Sequence, residues 1–491
     1  MAIAQRPFSQ GRGSGPCREH GEGCCPDRPQ HPHHAQQHGG LQHPAQRPCR
    51  VVIRRRPSAV AHRQYAHRGQ AKRSCTLGTI ASQFATSIGR HTVDPVRQIQ
   101  DFNARRDPER LLMKYRAMRA SPFAFLRGTC HLFYARLPRG GVFKSAPRVW
   151  TCGDLHLENF GSYKGDNRLV HFDINDFDEA ALAPASWDLL RLLTSLRVAA
   201  HQWALSAAHE QSLCQHYLDA YAGGLMLGKA YWMERDTAQG VVRTLLDGLR
   251  DRKRPQFLDA RTTIHLGQRQ LRVDGKKALP ATAAQRKKVM AFVQDFASRQ
   301  PDPHFYTALD VARRVAGTGS LGLDRYVILV HGKGSPDGNY LLDLKRAQPS
   351  SLLQSLKVAQ PQWPSEAHRI VAAQVRMQAV PVAFLHPVSF RHLPYVLRAL
   401  QPSEDRVDLN RSRHHPGQRE SFIAGLGRLT AWAQLRSTGR DGSASADELI
   451  DFGRRLKWQG RLLEASDACA QQVMQDAAAY NLAWDGGAFG A

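Results

Sequence analysis

The chain has 491 residues, 42% of them hydrophobic and 22% charged, the balance of an ordinary globular protein. No apolar run approaches the roughly 18–20 residues that cross a bilayer, the start MAIAQRPFSQ lacks the apolar core of a secretory signal, and the nine cysteines are irregularly spaced. Membrane-spanning, secreted and disulfide-scaffold classes are therefore not expected, a cytoplasmic location is, and the net charge of +26 suits an anionic partner, nucleotide or nucleic acid.

Residues 1–77 are expected to form a disordered basic tail. Residues 1–75 hold 13 Lys/Arg against 3 Asp/Glu, leaving 55 against 39 for the rest of the chain, and carry few large apolar side chains to offset the entropy of ordering. Cys17, Cys24, Cys25, Cys49 and Cys75 fit no standard zinc spacing, and adjacent Cys24 and Cys25 are awkward for a tetrahedral site.

Order is expected from about residue 78. Asp107 before Pro108 is an N-cap and first-turn pair for a helical stretch reaching Tyr134. A second helical tract is expected from Trp187 to Leu227, with Gly223 and Gly224 as candidate breaks in it. Residues 250–300 suggest a basic connection with a hairpin at Asp274-Gly275, then a helix. DVARRVAGTGSLG, LDRYVILVHG and GNYLLDLKRA predict three strands joined by a glycine turn and a Pro-Asp-Gly turn. A helix over EAHRIVAAQVRMQA, a strand pair in VSFRHL and YVLRALQP, and helices over 416–485 complete the pattern.

The sharpest segment is CGDLHLENFG, residues 152–161, followed by HFDINDFDEA, residues 171–180. Asp154 and Asn159 lie five positions apart, Asp176 opens D-F-D-E-A after a strand-like run, and Asp188 follows in W-D-L. Phosphoryl transfer needs such a set: one carboxylate to orient an acceptor hydroxyl and take its proton, an amide and a second carboxylate to hold Mg2+.

G-D-L-H-x-x-N followed by D-F-D-x-A and D-L resembles the catalytic and metal loops of aminoglycoside- and choline-kinase-type phosphotransferases, which have the protein-kinase-like fold. With SPFAFLRG at 121–128, CGDLHLENFG and FDINDFDEA, the chain is more closely similar to the bacterial domain of unknown function family 2252. The resemblance implies Asp154 as catalytic base, Asn159 as Mg2+ ligand and Asp176 as principal metal carboxylate. Asp173 is a rival, fourteen residues after Asn159, whereas Asp176 has the expected distances to Ala180 and Asp188. Cys152 stands where such enzymes often carry a histidine, which puts the anchoring of the loop in question.

A kinase-like enzyme also needs a β-rich lobe with a glycine loop and a strand lysine. Residues 78–150 lack it. Gly317, Gly319 and Gly322 form a later G-x-G-x-x-G, and Lys345 lies in the strand YLLDLKRA. A dinucleotide fingerprint would open a helix, but this turn runs into β-branched RYVILV. The expectation is an α+β, two-lobed kinase-like fold, circularly permuted: a helical catalytic lobe at 78–305, a nucleotide lobe at 306–410, and helices at 411–491 packing back on the first. Glu366, at the extreme start of its helix, is the expected partner of Lys345, and Tyr395 to Arg398 would line a hinge beside adenine. The expected activity is ATP- and Mg2+-dependent phosphate transfer to a hydroxyl acceptor. A nucleotide-binding pseudoenzyme, a nucleotidyl transferase and a basic nucleic-acid-binding protein are the competing readings; oligomeric state is open.

Overall fold

The computed structural model describes residues 94–402, 405–407 and 416–490. The expected tail, its five cysteines and the onset of order near residue 78 lie outside the described residues. Asp107 caps the helix Pro108–Arg119, accepting the Arg110 N–H at 3.0 Å, with Pro108 in the first turn. The helical stretch to Tyr134 is divided by Ser121-Pro122, since the residue before a proline leaves the helical region. Ser121 caps Pro122–Gly128 through Ala124 N at 3.1 Å, and Cys130–Ala135 follows.

The tract expected over 187–227 is two helices, Ser186–Gln202 and Ala207–Met226. They part at Trp203–Ser206, where Ala204 has a φ of 52° and Ser206 caps the second helix. Gly223 and Gly224 do not end it. Gly224 lies inside, where a Cβ would stand 2.9 Å from that of Ala431 in the helix Pro416–Arg436, so its bareness serves helix packing.

Every residue from Ser186 to Ala200 is buried. A helix covered all round forms the axis of a domain, and here the 29-residue helix Lys457–Asp485 lies along it while Ala207–Met226 pairs with Pro416–Arg436 and Ala446–Arg454. Tyr480 Oη donates to Tyr115 O at 2.9 Å, tying the last helix to the first part of the core.

Two small antiparallel ladders sit at the end of this helical body. β1 (Arg148–Thr151) pairs with β4 (Ala181–Pro184), and β2 (Phe160–Lys164) with β3 (Val170–Ile174). β5 (Thr262–His265) and β6 (Gln268–Leu271) form a hairpin about Leu266-Gly267, both at positive φ. The hairpin is thus not at Asp274-Gly275. There the Asp274 carboxylate accepts the N–H groups of residues 276–278 and turns the chain into β7 (Ala278–Pro280).

β7 is the edge of a six-stranded antiparallel sheet in the order β11-β12-β10-β9-β8-β7, with β8 Ala308–Arg314, β9 Arg325–Val330, β10 Tyr340–Arg346, β11 His386–Phe390 and β12 Leu393–Ala399. Alternation separates its faces. Tyr326, Ile328, Val330, Leu342, Leu344, Tyr395 and Leu397 form a core with Val289, Val293 and Phe296 of the helix Ala283–Ala297. On the other face Ala312, Val327, Leu329 and Leu341 are covered by Leu258, Leu271 and Ala278. The expected boundary at 305/306 is therefore misplaced: segments from residue 258 onward pack on the sheet. The helix Glu366–Met377 instead buries Ala367, Ile370, Ala373 and Met377 in the large helical core. The architecture is α+β, and among the described residues no helix is long and apolar enough to cross a membrane.

Candidate active site

Between the helical body and the sheet lies a cavity of about 1130 Å3. Its lining includes Asp154, Asn159, Asp176, Gly317, Gly319, Gly322 and Arg398, so residues from both halves of the chain meet there. Asp173 does not join them. On β3 it is buried and paired with Arg436 Nη2 at 2.9 Å, facing the helix Pro416–Arg436.

The loop bearing Asp154 hangs from the axial helix. Asp188, in its first turn, accepts Cys152 N at 2.9 Å and Gly153 N at 3.0 Å, which supplies the backbone anchoring that Cys152 cannot. Burial, the largest influence, pushes the Asp188 carboxyl up to about 7 against these two bonds. Gly153 has a φ of 83°, and a Cβ there would lie 2.1 Å from Glu179 O. Only glycine lets the two loops touch backbone to backbone. Burial also raises the thiols of Cys130 and Cys152, so both are packing groups rather than activated nucleophiles.

One turn along the same helix, fully buried Arg191 donates Nε and Nη2 to Asp154 Oδ1 at 3.0 and 2.8 Å. Asp154 Oδ2 lies 4.0 Å from Nε2 of His156, whose imidazole is kept neutral by burial and by Arg127, Arg191 and Arg406. Asn159 laces the loops together: its amide nitrogen donates to Asp154 O at 3.0 Å and Asp176 O at 3.3 Å, and its oxygen accepts Asp176 N at 2.8 Å.

Lys345, buried on β10, ion-pairs with Asp178 and lies 3.7 Å from Asp176. Glu366 is not its partner; that carboxylate takes Arg369 Nε at 2.6 Å, and Gln374 bonds Gln378. Arg369 in turn donates to the carbonyls of Asp178, Ala180 and Gln348, so the helix Glu366–Met377 fixes the D-F-D-E-A backbone directly. Burial acts to raise the Asp176 carboxyl, but Lys345, Arg398 and Arg325 outweigh it and hold it below the usual range. Asp178 is raised by burial and by Asp176. Glu179 is pushed up to about 7, chiefly by burial, while its carboxylate accepts Ser351 N and Oγ.

The glycine turn opens β9 rather than a helix, which disposes of the dinucleotide fingerprint. Gly317 and Gly322 have φ of 76° and 87°. The turn's carbonyls are held from beneath: Arg106 Nη1 donates to Gly319 O and Leu321 O at 2.6 and 2.7 Å, and Asp107 N to Gly322 O at 2.9 Å. Arg398 lines the cavity, but Tyr395 lies on the other face of the sheet, so the expected hinge beside adenine is not formed by that run.

Sequence reasoning missed Asp178, Glu179, Arg191 and Arg369. The first two stood inside D-F-D-E-A. The signal for Arg191 was a charge three residues after Asp188 in an apolar helix, a position at which an ion needs a partner. Nothing local marked Arg369.

An Mg2+ ion finds a fitting donor in Asp176, an ionised carboxylate whose side chain is 48% exposed. Among the described residues no three His, Cys, Asp or Glu side chains form a ready metal cage. No curated protein and no solved structure matches the chain. The family model described as an uncharacterized protein conserved in bacteria (DUF2252) matches residues 106–483, and the chain belongs to that family.

Proposed function

We propose that the protein is a Mg2+-dependent phosphotransferase acting on a hydroxyl acceptor. The observation that carries this reading is the meeting, at one cavity, of Asp154 and Asp176 from one half of the chain with the glycine turn from the other, Lys345 of β10 lying 3.7 Å behind Asp176. With the strands encoded after the acids, the order is that of a circularly permuted kinase-like chain.

Arg191 occupies Oδ1 of Asp154 and fixes the carboxylate's orientation, which leaves Oδ2 to the acceptor. The acceptor O–H gives its proton to Asp154, its oxygen forms the new bond to phosphorus, and the donor's bridging oxygen leaves with the electron pair. Mg2+, held by Asp176 beside Asn159, would supply neutralisation of phosphate charge. Lys345 keeps the two neighbouring carboxylates from repelling one another and adds positive charge where the donor's phosphates lie. Removing one such electrostatic group costs about 100–1,000-fold in rate.

The test is calorimetric titration of the full chain with the non-hydrolysable ATP analogue AMP-PNP, with and without Mg2+. Saturable, Mg2+-dependent binding weakened by both Asp176→Asn and Lys345→Met is expected, and it would justify an acceptor screen with Asp154→Asn as control. Absence of binding by AMP-PNP and by inorganic tripolyphosphate to the folded protein would end the phosphotransferase reading.

A further inference from the structure

The strand side of the cavity has a composition that a purine site should not have. Antiparallel register puts Asp343 opposite Arg398, and Lys345 opposite Arg325. These side chains share one face of the sheet with Arg314. The three arginines are 9%, 6% and 8% exposed in chain order, all line the cavity, and all converge on Asp343, which is 0% exposed. Arg325 reaches it through Nε and Nη2 at 2.8 and 2.6 Å, Arg314 at 2.7 Å and Arg398 at 3.8 Å. Three guanidinium groups share one carboxylate, so this wall keeps a surplus of positive charge within a buried setting.

A flat aromatic base needs an apolar slot with a few polar groups at its edge. The apolar residues of this face do not provide one. Ala312, Val327, Leu329 and Leu341 are covered by Leu258, Leu271 and Ala278, and Val396 packs into the helical core. What is left facing the cavity is the charged part: Arg314, Arg325 and Arg398, continuing toward Lys345. Planar guanidinium groups suit phosphate oxygens, which they bind in pairs, and buried arginines suit them best where water is excluded.

We propose that the strand side is a polyphosphate subsite, and that the phosphoryl donor is recognised there by its anionic chain, since the described residues of this sheet face offer no apolar slot for a base. This rests on the phosphotransferase reading and names its donor class: a linear chain of phosphates, whether the tail of a nucleoside triphosphate or a base-free polyphosphate. Arg314, Arg325 and Arg398 hold the distal part of the chain, and the transferred end lies toward Asp176 and Asp154.

The test is competition on the unmodified full chain, in Mg2+ and about 0.15 M salt, where surface charge is largely screened. Tripolyphosphate is expected to displace labelled AMP-PNP, while adenosine, and sulfate at matched ionic strength, do not. Arg398→Gln, the mildest change because its contacts are the longest, is expected to weaken tripolyphosphate at least about tenfold, the scale of one lost charge-assisted contact. Arg398→Lys should recover part of the loss. Tripolyphosphate binding without AMP-PNP binding would also support the proposal and point to a base-free donor. Displacement by adenosine but not tripolyphosphate would overturn the subsite and leave the phosphotransferase reading standing. Unchanged tripolyphosphate affinity in folded Arg398→Gln would equally overturn the assignment to these arginines. If neither tripolyphosphate nor AMP-PNP binds, both readings fall.

Discussion

The two walls of the cavity hold their charges in different ways. On the helical wall the pairing is dedicated: Arg191 holds Asp154 and Asp188 accepts two N–H groups of the same loop, both side chains coming from the axial helix. On the strand wall it is shared: three arginines on Asp343, and Lys345 between Asp176 and Asp178. Dedicated pairing fixes an orientation and leaves little for a ligand to gain. Shared pairing leaves charge in surplus, which a bound anion or cation can complete. On the phosphotransferase proposal, the helical wall positions a group and the strand wall receives one.

Breaking the helical wall should therefore cost the most stability. Arg191→Ala leaves the Asp154 carboxylate without its buried partner and is expected to destabilise by about 3–5 kcal/mol, read as a lowered denaturation midpoint. If the midpoint does not move, Asp154 is not held by that pair. Asp188→Ala strands the Cys152 and Gly153 N–H groups, at about 1–3 kcal/mol each for a buried unsatisfied donor. Asp188→Asn, which keeps an acceptor, should lose roughly half as much on the same basis.

The next effect is in pH. Glu179 titrates near 7 in the folded protein against an ordinary 4.5, raised mainly by burial. Between those values the folded state binds the extra proton, so this group's contribution to stability falls as pH rises through about 4.5 to 7 and levels off above. Asp188 acts in the same direction from 3.8 to about 7. Glu179→Gln should flatten the decline in melting temperature over that window; an unaltered profile would remove Glu179 as its source.

The smallest stability effect belongs to the strand wall. Among the described residues Arg398 makes a long 3.4 Å bond to Asn175 O and a 3.8 Å ion pair with Asp343, so Arg398→Gln is expected to cost less than about 1 kcal/mol. A large loss would mean that the strand wall, too, is structural, and the contrast between the walls would disappear.

What the sequence revealed follows the range of the interactions involved. β8, β9 and β10 were legible because β-branched runs between turn residues report their own conformation. The acid loops were legible because their chemistry is concentrated in ten-residue segments. The partner of Lys345 was not, since Asp178 lies far off in the chain and no periodicity links the two. Glu366 opens the helix from which the partner was expected, but its carboxylate is used to hold Arg369. The hinge assignment failed by one register step: Tyr395 and Arg398 point to opposite faces, and without the pairing of β12 nothing said which face met the cavity. The cover over the apolar face comes from residues 258–278, which read as a polar connection because so few of their side chains are buried.

The long helix Lys457–Asp485 also constrains how the chain is made. Tyr115 waits 365 positions for Tyr480, and Arg197 waits 269 for Ser466. At about 5–20 residues per second, a ribosome delivers that last helix some tens of seconds after the axial helix it covers. Until then the apolar flank of Ser186–Gln202 has no permanent neighbour. Completion of the domain therefore waits on that helix, and a stop codon shortly before residue 457 should yield a chain retained by chaperones or aggregated, although every described residue lining the cavity would already have been synthesised.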